Sequence, residues 1–203
     1  MELRDILTSI HPLPRSSSEK LMKKAESMTL DRHAVIIDPG KVDNHLYFIK
    51  EGLARAYVNA DGREITFWLG AEGAAIMSME GYVNNLPGYE TIETIEPTTL
   101  FRIHSPALQE LYQNDIYLAN WGRKLAEKEI LRAERCLIPQ LYTTATSRYM
   151  RFMREYPDLL NRVPLEYLAS YLGVTPVSLS HIRSSIRRDH TAPDTPLNLH
   201  RKN

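Results

Sequence analysis

Apolar and polar positions change their spacing three times along the chain. In residues 1–30, "RDILTSI" carries its apolar residues at helical intervals, and "SSSEKLMKKAESM" opens with serines at capping positions and continues with good helix formers, so this region is expected to be helical. From His33 the spacing shortens. "HAVIID", "HLYFIKEGLARAYVN", "REITFWLG" and "YETIETIEPTTLFRI" are rich in Val, Ile, Tyr, Phe and Thr with partial alternation, and "PGKVDN", "ADG" and "NNLPG" separate them. These read as strands with turn chemistry between them, with Asp61-Gly62 as a short-hairpin signal. Several short strands with Gly and Pro turns predict a small antiparallel barrel or roll. After Ser105-Pro106, a plausible cap and first-turn proline, the period becomes helical for some thirty residues, and Pro139 marks a break or hinge. The fold class is therefore α+β.

Within the long helical stretch, Ala119, Gly122, Ala126, Ala133 and Leu137 share one side, with Leu118, Trp121 and Leu125 beside them. Small residues in a stripe admit a second helix closely, which makes this a candidate dimerisation helix. A single helix lying on the roll fits the period nearly as well, because Glu129 and Arg132 interrupt any heptad.

The last third reads as three helices: "TTATSRYMRFMREYPDLL", "PLEYLASYLG" and "TPVSLSHIRSSIRR". In the latter two, Leu165, Leu168, Ala169 and Leu172 supply one apolar face, Gly173 a left-handed turn, Val174 a plug, and Leu179 with Ile182 the facing helix. Thr175 is a natural N-cap and Pro176 a natural first helical residue. Such a helix-turn-helix can place its second helix in a DNA groove. Beyond Asp189 the chain turns polar and Pro-rich, and disorder is expected. The layout is a roll domain (1–114), a dimerisation helix (115–138), a helix-turn-helix domain (139–190) and a disordered tail (191–203).

Composition adds bounds. Of 203 residues, 43% are hydrophobic and 25% charged, an ordinary globular balance. No run of 18 apolar residues exists, so no membrane helix is expected, and the first residues lack the basic start and apolar core of a signal peptide; the expected compartment is the cytoplasm. The lone Cys136 excludes an intrachain disulfide framework and any multi-thiolate zinc site. Net charge is zero, but from residue 148 onward there are nine Lys or Arg against five Asp or Glu, compared with sixteen against twenty before it. A basic end on an acidic body is the asymmetry expected when only that end meets a polyanion. No G-x-G-x-x-G, Walker-type G-K-[ST] or H-E-x-x-H occurs, and Asp38, Glu64, Glu72 and Glu80 read as solvated turn and edge charges. No enzyme and no metal site are expected.

The stretch "RYMRFMREYPDLLNRVPLEYLASYLGVTPVSLSHIR" resembles the C-terminal helix-turn-helix of the Crp–Fnr transcription regulators, particularly their Bacteroidetes-type branch, and the strand region, with "LYFIKEGLARAY" as its most similar part, resembles their cyclic-nucleotide-binding-like domain. The resemblance spans about residues 5 to 188. It implies an effector-sensing roll, a homodimer through the long helix, double-stranded DNA as partner, and contact with RNA polymerase. In mechanism, an effector biases the hinge near Pro139 and sets two recognition helices to half-sites one helical turn apart.

Three departures from the family pattern limit this. Cyclic-nucleotide binders carry a Gly-Glu pair and a later Arg that meets the phosphate. In "GAAIMSMEGYVNNLPGYETIE" Gly73 is too early for the pair, no Lys or Arg occurs between Arg63 and Arg102, and Glu80 and Glu90 would repel a phosphate. Cyclic AMP is therefore not the expected effector, whose identity stays open; Tyr57, Trp68, Met77 and Tyr89 are the candidate pocket. Cys136 alone cannot ligate an iron–sulfur cluster, and His11, His33, His45 and His104 are scattered rather than grouped as haem ligands. Finally, the long base-reading side chains of the family are replaced at Pro176, Val177 and His181. Candidate DNA contacts are Thr175, Val177, Ser178, Ser180, His181, Arg183, Arg187 and Arg188, with the arginines suited to phosphates. No alternating apolar run follows Arg188, so a wing is expected to be absent or truncated. An alternative reading is a ligand-sensing or protein-interaction module whose helix-turn-helix no longer reads DNA.

Overall fold

The computed structural model describes residues 1–191, with side chains described to residue 187. Two short helices, α1 (Leu3–Ile10) and α2 (Arg15–Met22), lead into eight strands: β1 (Ala25–Leu30), β2 (Val35–Ile37), β3 (His45–Glu51), β4 (Ala54–Ala60), β5 (Arg63–Gly70), β6 (Ala75–Ile76), β7 (Thr91–Thr94) and β8 (Thr98–His104). They form two four-stranded antiparallel sheets in the orders β1-β8-β3-β6 and β2-β7-β4-β5. The expected roll is present. The helical reading of residues 25–30 is corrected: "AESMTL" is an edge strand, with Met28 opposite Leu100 and Ala25 opposite Ile103. Its polar, Lys- and Glu-flanked sequence mimics a helix end, and only pairing with β8 decides otherwise.

The tight corner between β3 and β4 depends on Gly52. Its φ is +112°, and a Cβ there would stand 2.5 Å from Thr98 Oγ1, so both the backbone and the neighbouring strand exclude a side chain.

Helix α3 (Ser105–Asn114) ends at Asp115, whose buried carboxylate caps the next helix by accepting from the Tyr117 N–H at 3.1 Å and is held by Lys20 Nζ at 2.8 Å and the Ser17 hydroxyl. The hydrogen bond from Lys20 outweighs the burial penalty and holds this carboxyl below its ordinary pKa. Helix α4 runs from Ile116 to Tyr142. Pro139 therefore does not break it: the proline sits inside the helix, which ends only at Thr143, where the backbone turns extended. The unit that follows comprises α5 (Ala145–Glu155), a 3₁₀ turn over Pro157–Asn161, α6 (Leu165–Tyr171) and α7 (Pro176–Thr191). The expected tail, and with it the question of a wing beyond residue 191, lies outside the described residues.

Three apolar clusters hold these parts. One packs α1, α2, α3 and α4 on the first sheet, around Ile6, Leu7, Leu21, Phe48, Ile103, Leu118 and Trp121. A second fills the roll with Ile37, Ile49, Ala54, Ile76, Ile92 and Leu100. The third joins Leu53, Leu69 and Ile95 of the roll to Phe152, Leu168, Leu172 and Leu179 of the C-terminal helices. Trp121 is fully buried, donates its indole N–H to the Leu7 carbonyl at 2.9 Å, and meets Phe48 edge-on at 6.2 Å. It is the bolt through α1, α4 and β3. Trp121→Ala is expected to cost about 3–5 kcal/mol, read as a lowered urea midpoint at unchanged slope.

Candidate nucleic-acid interface and its seam with the roll

The helical pair α6–α7, where the sequence places a helix-turn-helix, is built from short-range chemistry. Leu168, Ala169, Leu172 and Leu179 are buried and Val174 is half-buried, which closes α6 on α7. The turn between them passes through Gly173 at φ +68°, and the amides of Gly173 and Val174 return to the carbonyls of Ser170 and Ala169, both at 3.0 Å. Arg148 from α5 forks onto the remaining Leu172 carbonyl at 3.0 and 2.9 Å, placing a cation at the negative end of α6. Thr175 caps α7, accepting from the Ser178 N–H at 3.1 Å, and its hydroxyl meets that of Ser178 at 2.9 Å.

The expected contact residues fall into three groups. Thr175 and Ser178 are exposed, but their hydroxyls are engaged with each other at the cap. Val177, Ser180 and His181 stand exposed on the N-terminal half of α7, Val177 by 67%. Arg183 turns inward, donating to the Tyr149 hydroxyl at 3.1 Å with its guanidinium 5.6 Å from that ring. Arg187 is exposed, and the side chain of Arg188 lies outside the described ones.

The unit is seated on the outer face of the second sheet. Ser170 of α6 bridges the free edge of β5, accepting from the Thr66 N–H at 2.9 Å and donating to the Glu64 carbonyl at 2.9 Å. Beside it, Arg55 of β4 is 2% exposed and stacks between the rings of Tyr57 (4.1 Å) and Tyr167 of α6 (3.6 Å). Its nitrogens donate to Glu93, Glu64 and Thr66. Burial alone would lower the arginine's pKa, but the hydrogen bonds to Glu64 and Glu93 raise it on balance, so it stays charged. At the other end of the seam, Arg162 forks onto Glu72 at 3.1 and 2.9 Å and also reaches Glu96. Glu64 and Glu72, read from the sequence as solvated, are thus structural: they hold the C-terminal unit to the roll. Glu72 meets Arg162 across 90 residues of sequence, whereas the Glu64 carboxylate pairs with Arg55 nine residues before it and only its backbone carbonyl reaches Ser170 of α6.

The four residues expected to share an effector pocket are not brought together. Tyr57 is covered by Arg55 on the outer face, Trp68 packs on the roll core with Arg132 4.8 Å above its ring, Met77 packs against the cluster around Trp121, and Tyr89 is 69% exposed. In the segment between β6 and β7, a π-helical turn over Glu80–Asn84 leaves Met79, Val83 and Leu86 exposed. The buried Glu90 carboxylate accepts from the Tyr89 N–H at 3.1 Å and lies close against Gly88. On α4, Gly122 faces inward, since a Cβ there would strike the Tyr112 ring of α3 at 2.7 Å, so it does not belong to an outward stripe. Farther along, Ala126, Ile130, Ala133 and Leu137 are exposed at alternating intervals of four and three, with Leu141 beyond. Glu129 and Arg132 lie off this line, so they do not interrupt it.

Comparison with known proteins agrees with this architecture. Residues 27–115 match the family described as the cyclic nucleotide-binding domain. The roll has the cyclic nucleotide-binding fold. No curated protein matches the sequence. Among solved structures, FixK2 from Bradyrhizobium japonicum superimposes at a TM-score of 0.73 with 18% identity, covering 82% of this chain and 86% of that one. The c-di-GMP-responsive global regulator CLP of Xanthomonas campestris gives 0.68 at 17%, covering 87% and 93%. A structure described as a transcriptional regulator of the Crp/Fnr family from Eubacterium rectale gives 0.67 at 15%, covering 89% and 88%. At 82% to 89% of this chain, the likeness extends past the roll into the helical region. No helix among the described residues is long and apolar enough to cross a membrane.

The seam makes a pH-dependent prediction. Burial raises the Glu72 carboxyl, but the hydrogen bonds from Arg162 and the Gly52 N–H outweigh it and bring its pKa from 4.5 to about 2. A carboxyl depressed by folding contributes stability that is whole above about pH 4.5 and is lost as pH falls through about 2. Arg162→Gln is expected to move the Glu72 titration upward toward 4.5, followed by carboxyl NMR, while shifting amide resonances on both sides of the seam.

Proposed function

We propose that the protein is a dimeric, sequence-specific DNA-binding transcription regulator whose roll does not take cyclic AMP. The observation that carries this reading is the N-terminal half of α7: capped, fixed on a buried core, and presenting Val177, Ser180 and His181 to solvent. A hydroxyl, an imidazole and a branched methyl side chain can offer single hydrogen bonds and contact with a thymine methyl, a reading different from paired arginines on guanine. With Arg183 folded onto Tyr149, specificity leans on few direct contacts and on DNA shape.

The exposed Ile130 (67%), Leu137 (60%) and Leu141 (73%) support dimerisation through α4. Their spacing with Ala126 and Ala133 fits a close two-helix seam of heptad type. Against cyclic AMP stand the absence of Lys or Arg from residue 64 to 101 and the engagement of the Tyr89 amide by the Glu90 carboxylate, where a phosphate would need donors. RNA polymerase is the partner expected of such a regulator.

A second reading, a protein-interaction module without DNA reading, draws support from the exposed apolar group of Met79, Val83, Leu86 and Tyr89. One experiment separates the two: selection of bound sequences from random duplexes, followed by shift assays at physiological salt. The regulator reading expects an enriched, two-fold-related site. Replacing Ser180 and His181 together by Ala is expected to weaken that site about tenfold or more, at roughly 1 kcal/mol per lost contact, and to leave random DNA unaffected. Failure to enrich any sequence supports the interaction module instead. For the dimer, Ile130→Asp is expected to give a monomer by sedimentation at micromolar concentration, with a folded circular dichroism spectrum.

A further inference from the structure

The roll holds no cation from residue 64 to residue 101, yet positive charge gathers elsewhere, in the crook where α4 meets α5 and α6. A cavity of about 620 Å³ opens there, within the range of small-molecule sites. Lys128, Arg132, Arg135 and Arg148 line it, and among the described residues none of the four is ion-paired. Three are bonded to neutral acceptors: Lys128 to the Ser9 carbonyl, Arg132 to the Leu69 carbonyl, and Arg148 to the carbonyls of Leu172 and Thr143. A carbonyl positions a cation without neutralising it, so the charge remains available to a guest.

The carboxylates on the same walls do little to offset this. Glu155 is paired with Arg151 at 2.8 Å, and burial pushes the Glu129 carboxyl above its ordinary pKa despite the opposing pull of Arg132. The remainder of the wall is mainly apolar, with three rings among its aliphatic side chains. Phe152 lies tilted against Tyr156 at 5.4 Å and meets Tyr171 edge-on at 5.9 Å. Cations held over low-dielectric aromatic walls focus a field that draws in anions, and the rings offer a flat apolar surface to the body of the guest.

The side of α4 matters too. At 100° per residue, Lys128, Arg132, Arg135 and Pro139 lie opposite Ala126, Ile130, Ala133 and Leu137. A second copy seated on the exposed apolar stripe would therefore leave the crook open.

We propose that this crook is a binding site for a small aromatic anion, a carboxylate, sulfonate or phosphate carried on a planar apolar body. Such a guest touches α4 on one side and α5 with α6 on the other, so its occupancy fixes the angle between the long helix and the helix-turn-helix. The site stands independently of DNA reading; only that consequence rests on the function proposed above.

The test uses the full chain and two dyes of nearly equal shape, the anionic 8-anilino-1-naphthalenesulfonate and the neutral N-phenyl-1-naphthylamine, titrated by fluorescence. The anionic dye is expected to bind saturably at one per chain and more tightly than the neutral one. Arg135→Glu and, separately, Lys128→Glu should each weaken the anionic dye at least tenfold and leave the neutral dye within twofold. Both side chains are exposed, and circular dichroism verifies their folding. Val83→Asp, on the exposed apolar group of the roll, should change nothing. Unchanged anionic-dye affinity in both charge-reversal variants overturns the proposal, as does loss of binding in Val83→Asp. If Arg135→Glu instead spares the dye and weakens random-sequence DNA with a shallower salt dependence, the cations serve the phosphate backbone and the site is refuted. Because the dyes report without DNA, a chain that ignores DNA can still pass this test.

Discussion

The architecture turns on one buried guanidinium. Arg55 sits between the rings of Tyr57 and Tyr167 and donates to carboxylates from β5 and β7. It therefore ties three strands of one sheet to α6, the first of the two helices that pack as a hairpin. A cation removed from water is tolerated only where hydrogen bonds and opposite charge replace its hydration. Glu93, Glu64 and Thr66 supply those bonds, and the two ring faces cover what remains. Removing a single carboxylate from this arrangement leaves a buried donor without its acceptor, whereas the matched set fixes one placement of α6 on the sheet. Ser170 on the β5 edge and Arg162 on Glu72 and Glu96 then repeat the same logic along the seam. Ser170 also satisfies an edge amide that would otherwise invite another strand.

How much of this the sequence discloses follows from the range of each interaction. The α6–α7 hairpin is legible because its determinants are neighbours: Thr175 and Ser178 at the cap, Gly173 in the left-handed turn, Leu168, Ala169, Leu172 and Leu179 at helical intervals. The strands β3, β4 and β5 are legible because Asp61-Gly62 and Gly52 demand turns between β-branched and aromatic runs. What fails does so where the outcome depends on packing that the local pattern does not carry. Ala25–Leu30 has a helix former's composition and becomes a strand only against β8. Pro139 is tolerated within α4, whose chain continues to Tyr142 before the backbone turns away. Gly122, a small residue in a plausible stripe, is small for the sake of Tyr112 in its own protomer.

The candidate sites divide in the same way. Val177, Ser180 and His181 face solvent as their helix phase requires, since the cap fixes the phase of α7. Arg183 has the same phase-derived expectation, yet a tyrosine 34 residues away claims it. The four aromatic and thioether residues of the expected effector pocket share a chemical type but no local spacing. They scatter because Met77 and Trp68 serve different apolar clusters and Tyr57 serves Arg55.

The distribution of charge links these observations into one account of the fold. The segment between β6 and β7 presents Met79, Val83 and Leu86 outward and engages a backbone amide with the Glu90 carboxylate. Four carboxylates of the roll are instead paired at the seam, where Arg55 and Arg162 meet Glu93, Glu64, Glu72 and Glu96. They are therefore not the partners of Arg132, Arg135 and Arg148, which line the crook. The pairing that anchors α6 on the sheet thus lies apart from the unpaired cations of the adjacent crook, which stand where a bound anion would act on the orientation of α6 and α7.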